Sequence, residues 1–234
     1  MRADVSFIVD KVNILKSVSI FSDLSDSDLS SILDKMVQHT FKKSQIILME
    51  DRIGEHCFFL THGRVKITRL SSDGREVILA LLGKGEFFGE MSLLDGEARS
   101  ANVVALERTE ALTLNVADFM NTLEIYPKVA INLLCELAVR LRKSDEQIAN
   151  LSLSDAERRI AVSLIRLAEE QGTIHHGHVT IDPLPYQQDI ANMAGTSRET
   201  VSRIYGLLTE DGYIHRDGRK LVIPDYDRFL IDFT

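Results

Sequence analysis

The sequence predicts an α+β chain in three parts: an N-terminal antiparallel β-roll of the jelly-roll kind over residues 1–123, a long helix over 124–152, and a small helical domain with a final hairpin over 153–234. Three observations predict it. Glycines at Gly54, Gly63, Gly74, Gly83, Gly85, Gly89 and Gly96 cut the first part into apolar runs of strand length. From Pro127 to Asp155 a helical pattern runs with no further Gly or Pro to interrupt it. The last third alternates helical patterns with turns centred on Gly195 and Gly218.

Composition sets the bounds. With 234 residues, 44% hydrophobic and 26% charged, the chain falls among soluble globular proteins and is long enough for two domains with their own cores. Two Cys give no disulfide framework. The N-terminal stretch MRADVSFIVDKVNILKS is broken by Asp and Lys, so it predicts neither a signal peptide nor a membrane span, and a cytoplasmic address is expected. The net charge is −8, from 27 Lys and Arg against 35 Asp and Glu, which on its face disfavours a partner as anionic as nucleic acid.

Taken in order, SDLSDSDLSSILDKM offers Ser and Asp caps for a short helix. The runs CFFL, RVKITRL, EVILALL, ANVVAL and EALTLNV read as strands, with a hairpin turn at Asp73-Gly74. Within this part, GEFFGEMSLLDGEARSANV (Gly85 to Val103) gathers a glycine, a carboxylate, an arginine and a hydroxyl. Arg99 and Ser100 there suit a phosphate, Glu90 suits a ribose hydroxyl, and Gly89 allows close approach of the backbone. In the long helix Pro127 takes a first-turn position. Ala130, Leu134, Leu137, Leu141, Ile148 and Leu151 step by three and four as a coiled-coil seam, with Ser144 its polar exception, and this predicts a homodimer.

Ser154 and Glu157 have capping-box spacing ahead of the helix DAERRIAVSLIRLAEEQG, which stops at Gly172. TIHHGHVTIDPLP reads as a surface loop; its His175, His176 and His178 lack metal-ligand companions. Two short helices follow, split by Ala194-Gly195-Thr196, and then the hairpin GYIHRDGRKLVIP turning at Asp217-Gly218. Helix, Gly turn, helix and two-stranded wing make a winged helix-turn-helix. On a wheel of about 100° per residue the second helix turns Val201, Ile204 and Leu208 inward and Arg198, Glu199, Ser202, Arg203 and Gly206 outward. Two arginines suit guanine edges and a carboxylate accepts from cytosine, so the exposed trio has the chemistry to read G and C.

These residues resemble the cyclic AMP receptor protein and fumarate-nitrate regulator (CRP/FNR) family of bacterial transcription factors over nearly the whole chain. GEFFGEMSLLDGEARSANV looks like that family's phosphate-binding cassette and GTSRETVSRI like its recognition helix. The resemblance implies a cyclic nucleotide effector, cAMP in the first place, with cyclic GMP and cyclic di-GMP or a ligand-independent regulator as alternatives. It implies that Gly89 and Glu90 bind the ribose, Arg99 and Ser100 the cyclic phosphate, and Ser144 the base, beside an Asp145 that departs from the neutral hydroxyl residue usual in cyclic AMP receptors. It further implies that Arg198, Glu199 and Arg203 read base edges of palindromic double-stranded DNA, with Ser197, Thr200, Gln188 and Arg219 near phosphates and RNA polymerase as a further partner.

Other chemistries find little support. No nucleophile elbow, Walker loop or metal-ligand spacing points to an enzyme. Cys57 and Cys135 are too few for the iron–sulfur cluster of the fumarate-nitrate branch, and His56, Cys57 and His62 are poor haem candidates, so no prosthetic group is expected. Residues 152–234 hold nine Lys and Arg against thirteen Asp and Glu, while 195–223 hold five against four. The DNA-facing strip is thus barely positive, which predicts weak non-specific binding and reliance on base readout.

Overall fold

The computed structural model describes residues 12–234 except 72, 73, 154 and 176, so the expectation about the N-terminal stretch largely lies outside the described residues. The chain forms two compact units, residues 1–142 and 143–234, and the division falls inside the long helix rather than at either of its ends.

The first unit is built from two four-stranded antiparallel sheets. One has the order β1 (Val37–Phe41), β8 (Thr109–Asn115), β3 (His56–His62), β6 (Phe87–Phe88). The other runs β2 (Ile46–Leu48), β7 (Asn102–Ala105), β4 (Val65–Leu70), β5 (Glu76–Leu82). Strand alternation explains why β3 is buried along most of its length. Cys57 and Phe59 join a core shared with the helices, whereas Phe58 and Leu60 face the second core with Val65, Phe88 and Val103. Phe87 and Phe88 of β6 divide between the two cores in the same way. Full burial of each such phenylalanine contributes about 1.5–3 kcal/mol, so this central sheet is the stable platform of the unit. The helical layer comprises α1 (Asp26–Leu33), α3 (Val116–Ile125) and the first half of α4 (Pro127–Leu153); the one-turn α2 (Met91–Leu94) follows β6. Ser25 and Asn115 cap α1 and α3, accepting from the N–H groups of Asp28 and Asp118.

The five predicted strands are present, and β4 pairs with β5 antiparallel as the hairpin requires, although Asp73 of its turn is outside the described residues. Pro127 opens α4. The seam needs a correction. Val129 and Leu133 are buried, and Leu137 packs beside them against the helical core, so Ala130 and Leu137 lean toward their own unit. The exposed apolar stripe is Ile131, Leu134, Ala138, Leu141 and Ile148, and its step between Leu141 and Ile148 is Asp145, not Ser144.

In the second unit α5 (Ala156–Gln171) buries Ile160, Leu164, Leu167 and Ala168 against α6 (Gln187–Ala194), α7 (Arg198–Glu210) and α8 (Tyr226–Phe233) and a sheet. Its cap is Asp155, which accepts from the Arg158 N–H at 2.8 Å; Ser154, on which the sequence places the capping box, lies outside the described residues. The histidine segment is not a loop. β9 (Thr173–His175) and β10 (His178–Ile181) pair with His175 opposite His178, and β11 (His215–Asp217) with β12 (Lys220–Ile223) extends them to a four-stranded sheet, so the wing is not a lone hairpin.

Candidate functional site

In the first unit the cassette works because its backbone turns sharply where β6 ends. Gly89 sits at φ +84°, a conformation that disfavours any side chain, and a Cβ there would come within 2.8 Å of Arg99 Nη1. Freed of that obstacle, the Gly89 carbonyl accepts from Arg99 Nη1. Nη1 also donates to Ser92 Oγ at 2.7 Å, and Nη2 donates to the His56 carbonyl at 2.6 Å. Arg99 is therefore only 6% exposed and fixed in place, and its Nε, also buried, has no partner. Burial lowers the Arg99 pKa, with Cys57 and Glu90 opposing.

Glu90 heads α2 without capping it, and its carboxylate is taken instead by Arg140 of α4, Nη1 to Oε1 at 2.9 Å. Arg140 also donates to the Phe87 carbonyl at 2.8 Å and lies 4.5 Å from the centre of the Phe87 ring. Burial pushes the Glu90 pKa up, while Arg140 pulls it back in part. A raised carboxylate pKa in the folded state means that this group's contribution to stability is largest at low pH and is lost as pH rises through the folded pKa. Glu90→Gln is accordingly expected to leave the melting temperature at pH 7 unchanged or higher and to weaken effector binding, measured by thermal unfolding and calorimetry on one preparation. A fall in melting temperature would show that the pair with Arg140 outweighs burial.

Of the predicted residues, Gly89, Glu90 and Arg99 come together. Ser100 is exposed, with Met91 Sδ at 4.0 Å from its hydroxyl. Ser144 and Asp145 are exposed on α4, past the division at residue 142. Arg140 was missed by sequence reasoning, and its signal is faint: it stands four residues after Glu136 and four before Ser144 in a run of ordinary helix formers. Cys57 lies in the buried floor, its thiol 3.5 Å from the Phe88 carbonyl and pushed well up by burial. Among the described residues no group of His, Cys, Asp and Glu is disposed to hold a metal ion.

In the second unit Gly195 adopts the left-handed conformation at φ +59° and ends α6, which turns the chain into α7 within three residues. Ser197 caps α7, accepting from the Thr200 N–H at 3.2 Å, so both residues have a structural duty at the helix start. Val201, Ile204, Tyr205 and Leu208 are buried, while Arg198, Glu199, Ser202, Arg203 and Gly206 are exposed, as the wheel predicts. Hydrogen bonds from its own backbone and from Ser197 lower the Glu199 pKa, so it stays an ionised acceptor. Gln188 is exposed on α6 and donates to Asn192 Oδ1. At the wing tip Arg219 lies 4.7 Å over the Tyr186 ring and donates from Nε to the Leu184 carbonyl at 3.1 Å. Tyr186, exposed ahead of α6, is a second residue that sequence reasoning passed over. No helix among the described residues is long and apolar enough to cross a membrane.

Two family descriptions match the chain: "Cyclic nucleotide-binding domain" over residues 38–126 and "Crp-like helix-turn-helix domain" over residues 158–230. The chain is 36% identical to the "Cyclic AMP receptor protein" of Thermus thermophilus over 203 residues, covering 86% of this chain and 89% of that one. It is 28% identical over 215 residues to the "CRP-like cAMP-activated global transcriptional regulator" of Mycobacterium tuberculosis, covering 92% and 96%. Its fold is like that of FixK2 from Bradyrhizobium japonicum, with a TM-score of 0.74 and 25% identity, covering 84% of this chain and 96% of that one.

Proposed function

Because the chain belongs to the CRP/FNR family of ligand-responsive transcription regulators, which are not enzymes, we propose that it is a cytoplasmic homodimer gated by a cyclic nucleotide, cAMP first, that binds palindromic promoter DNA. The observation that carries this reading is the buried Arg99 guanidinium, held by three acceptors with its Nε unmatched. A buried cation with an unmatched donor suits an anion of phosphate size. Gly89 and Glu90 meet the ribose, Arg99 and Ser100 the phosphate, and Ser144 and Asp145 the base.

Gating follows from Glu90. A ribose hydroxyl that donates to this carboxylate competes with Arg140, and Arg140 belongs to α4, so occupancy of the pocket changes how firmly the helix is held. Paired α4 helices set the spacing of two α7 helices, whose Arg198, Glu199 and Arg203 read successive major grooves about 34 Å apart. Ser197, Thr200, Gln188 and Arg219 sit near phosphates, and RNA polymerase is the further partner the family implies. Calorimetry of the purified protein against cAMP, cyclic GMP and cyclic di-GMP, followed by a gel shift with and without the tightest of them, tests the whole reading. DNA binding that is equal in both lanes would favour the ligand-independent alternative.

The dimer seam makes a separate prediction. Asp145 interrupts the exposed apolar stripe of α4, so in a parallel pair it meets its own copy, and facing like charges weaken such a contact. Asp145→Leu is expected to tighten dimerisation at least about tenfold in sedimentation equilibrium, in line with burying an additional leucine pair. Ser144→Leu should change it little.

A further inference from the structure

We propose that Ser92 is a positioning residue for the effector's phosphate, acting through Arg99. The proposal rests on the cyclic nucleotide reading above and names the group that aims the arginine.

A guanidinium has five N–H donors in one plane. Three are committed here, to the Gly89 carbonyl, the His56 carbonyl and the Ser92 hydroxyl. Two remain, the second N–H of Nη2 and Nε–H, and of these the Nε atom is buried with no partner at all. Buried donors are rarely left in that state, because each one forfeits its hydration without a replacement. A phosphate oxygen is the acceptor that fits a charged donor in this cassette.

The three holding groups are not equivalent. His56 and Gly89 act through backbone on β3 and at the end of β6, strands that pair with Phe58 opposite Phe88, so their carbonyls stay put whatever side chains surround them. Ser92 supplies the one side-chain acceptor. It is buried, three residues after Gly89, Arg99's other partner on Nη1, and without it Nη1 would keep a single bond and the group would be held from the two backbone carbonyls alone. Gly54 reinforces the point. A Cβ there would lie 2.1 Å from Ser92 Oγ and 2.9 Å from Arg99 Nε, so the absence of a side chain at residue 54 keeps the ground beside both atoms clear. The hydroxyl and the neighbouring glycine together set which way the unmatched N–H points.

The test compares a ligand that has the phosphate with one that lacks it. Calorimetry and displacement are run on full-length wild type and Ser92→Ala with cAMP and adenosine, or with cyclic GMP and guanosine if that cyclic nucleotide binds more tightly. Loss of the hydroxyl is expected to weaken the cyclic nucleotide about tenfold and leave the nucleoside unchanged, while the melting temperature of the unliganded protein falls modestly because a buried N–H loses its acceptor. Equal weakening of both ligands would indicate a merely structural role and overturn the proposal, as would undiminished cyclic nucleotide binding. A wild type that binds none of cAMP, cyclic GMP and cyclic di-GMP would instead overturn the reading on which the proposal rests.

Discussion

Arg99→Ala is expected to abolish the thermal stabilisation that a cyclic nucleotide confers on the wild-type protein. At a ligand concentration one hundred times the dissociation constant, binding adds about 2.7 kcal/mol of stability, which in a unit of this size is a rise of roughly 5–10 °C. The variant should show no rise at all. Its unliganded melting temperature will fall as well, because the carbonyls of Gly89 and His56 and the hydroxyl of Ser92 lose a buried donor. That fall is not diagnostic; the ligand-induced difference is. A variant still stabilised to the same extent would remove Arg99 from the pocket and with it the assignment of the cassette.

The second large effect is expected at the DNA interface. Arg198→Ala should cost about 1–3 kcal/mol per half-site and relax the preference at one base pair, because the proposed role of this exposed first-turn arginine of α7 is bidentate contact with guanine. Arg219→Ala provides the contrast. Its side chain is anchored over Tyr186 at the wing tip, where it is proposed to meet the backbone of DNA, so its loss should weaken all sequences alike and reduce the salt dependence. Binding measured against a panel of single-base variants of the site separates the two. Uniform weakening by Arg198→Ala would contradict a base-reading role.

Much of this fold was legible because burial leaves a mark on composition. The five predicted strands belong to sheets with covered faces; β3 and β7 are apolar through most of their length, and β8 is buried through most of its own. β1 (VQHTF) was not legible, since four of its five residues are exposed and polar residues break its pattern. β6 is two phenylalanines hidden in a glycine-rich turn, too short for any periodicity to register. The C-terminal helix α8 went unpredicted although Phe229 and Phe233 stand four apart on its buried face. In the cassette, the segment singled out by residue identity is the one in which Gly89, Glu90 and Arg99 come together, because all three lie within eleven residues of one turn-rich stretch. Arg140 was illegible because its role depends on which turn of α4 passes Glu90. The seam misled for a related reason: Ala130 and Leu137 fit a heptad as well as Ile131 and Ala138 do, and only the burial of Val129 and Leu133 decides between them.

The two cysteines divide the protein's thiol chemistry between them. Cys135 is exposed on α4, close to the stripe where a second copy is proposed to dock. Cys57 is sealed beneath Arg99 and Glu90, and its raised pKa keeps it almost wholly protonated at neutral pH, so an alkylating reagent meets neither access nor a thiolate there. Nature has thereby supplied a pair of native reporters. The rate at which Cys135 is alkylated follows how much of the helix face is covered, and the much slower rate at Cys57 clocks the opening of the floor beneath the arginine.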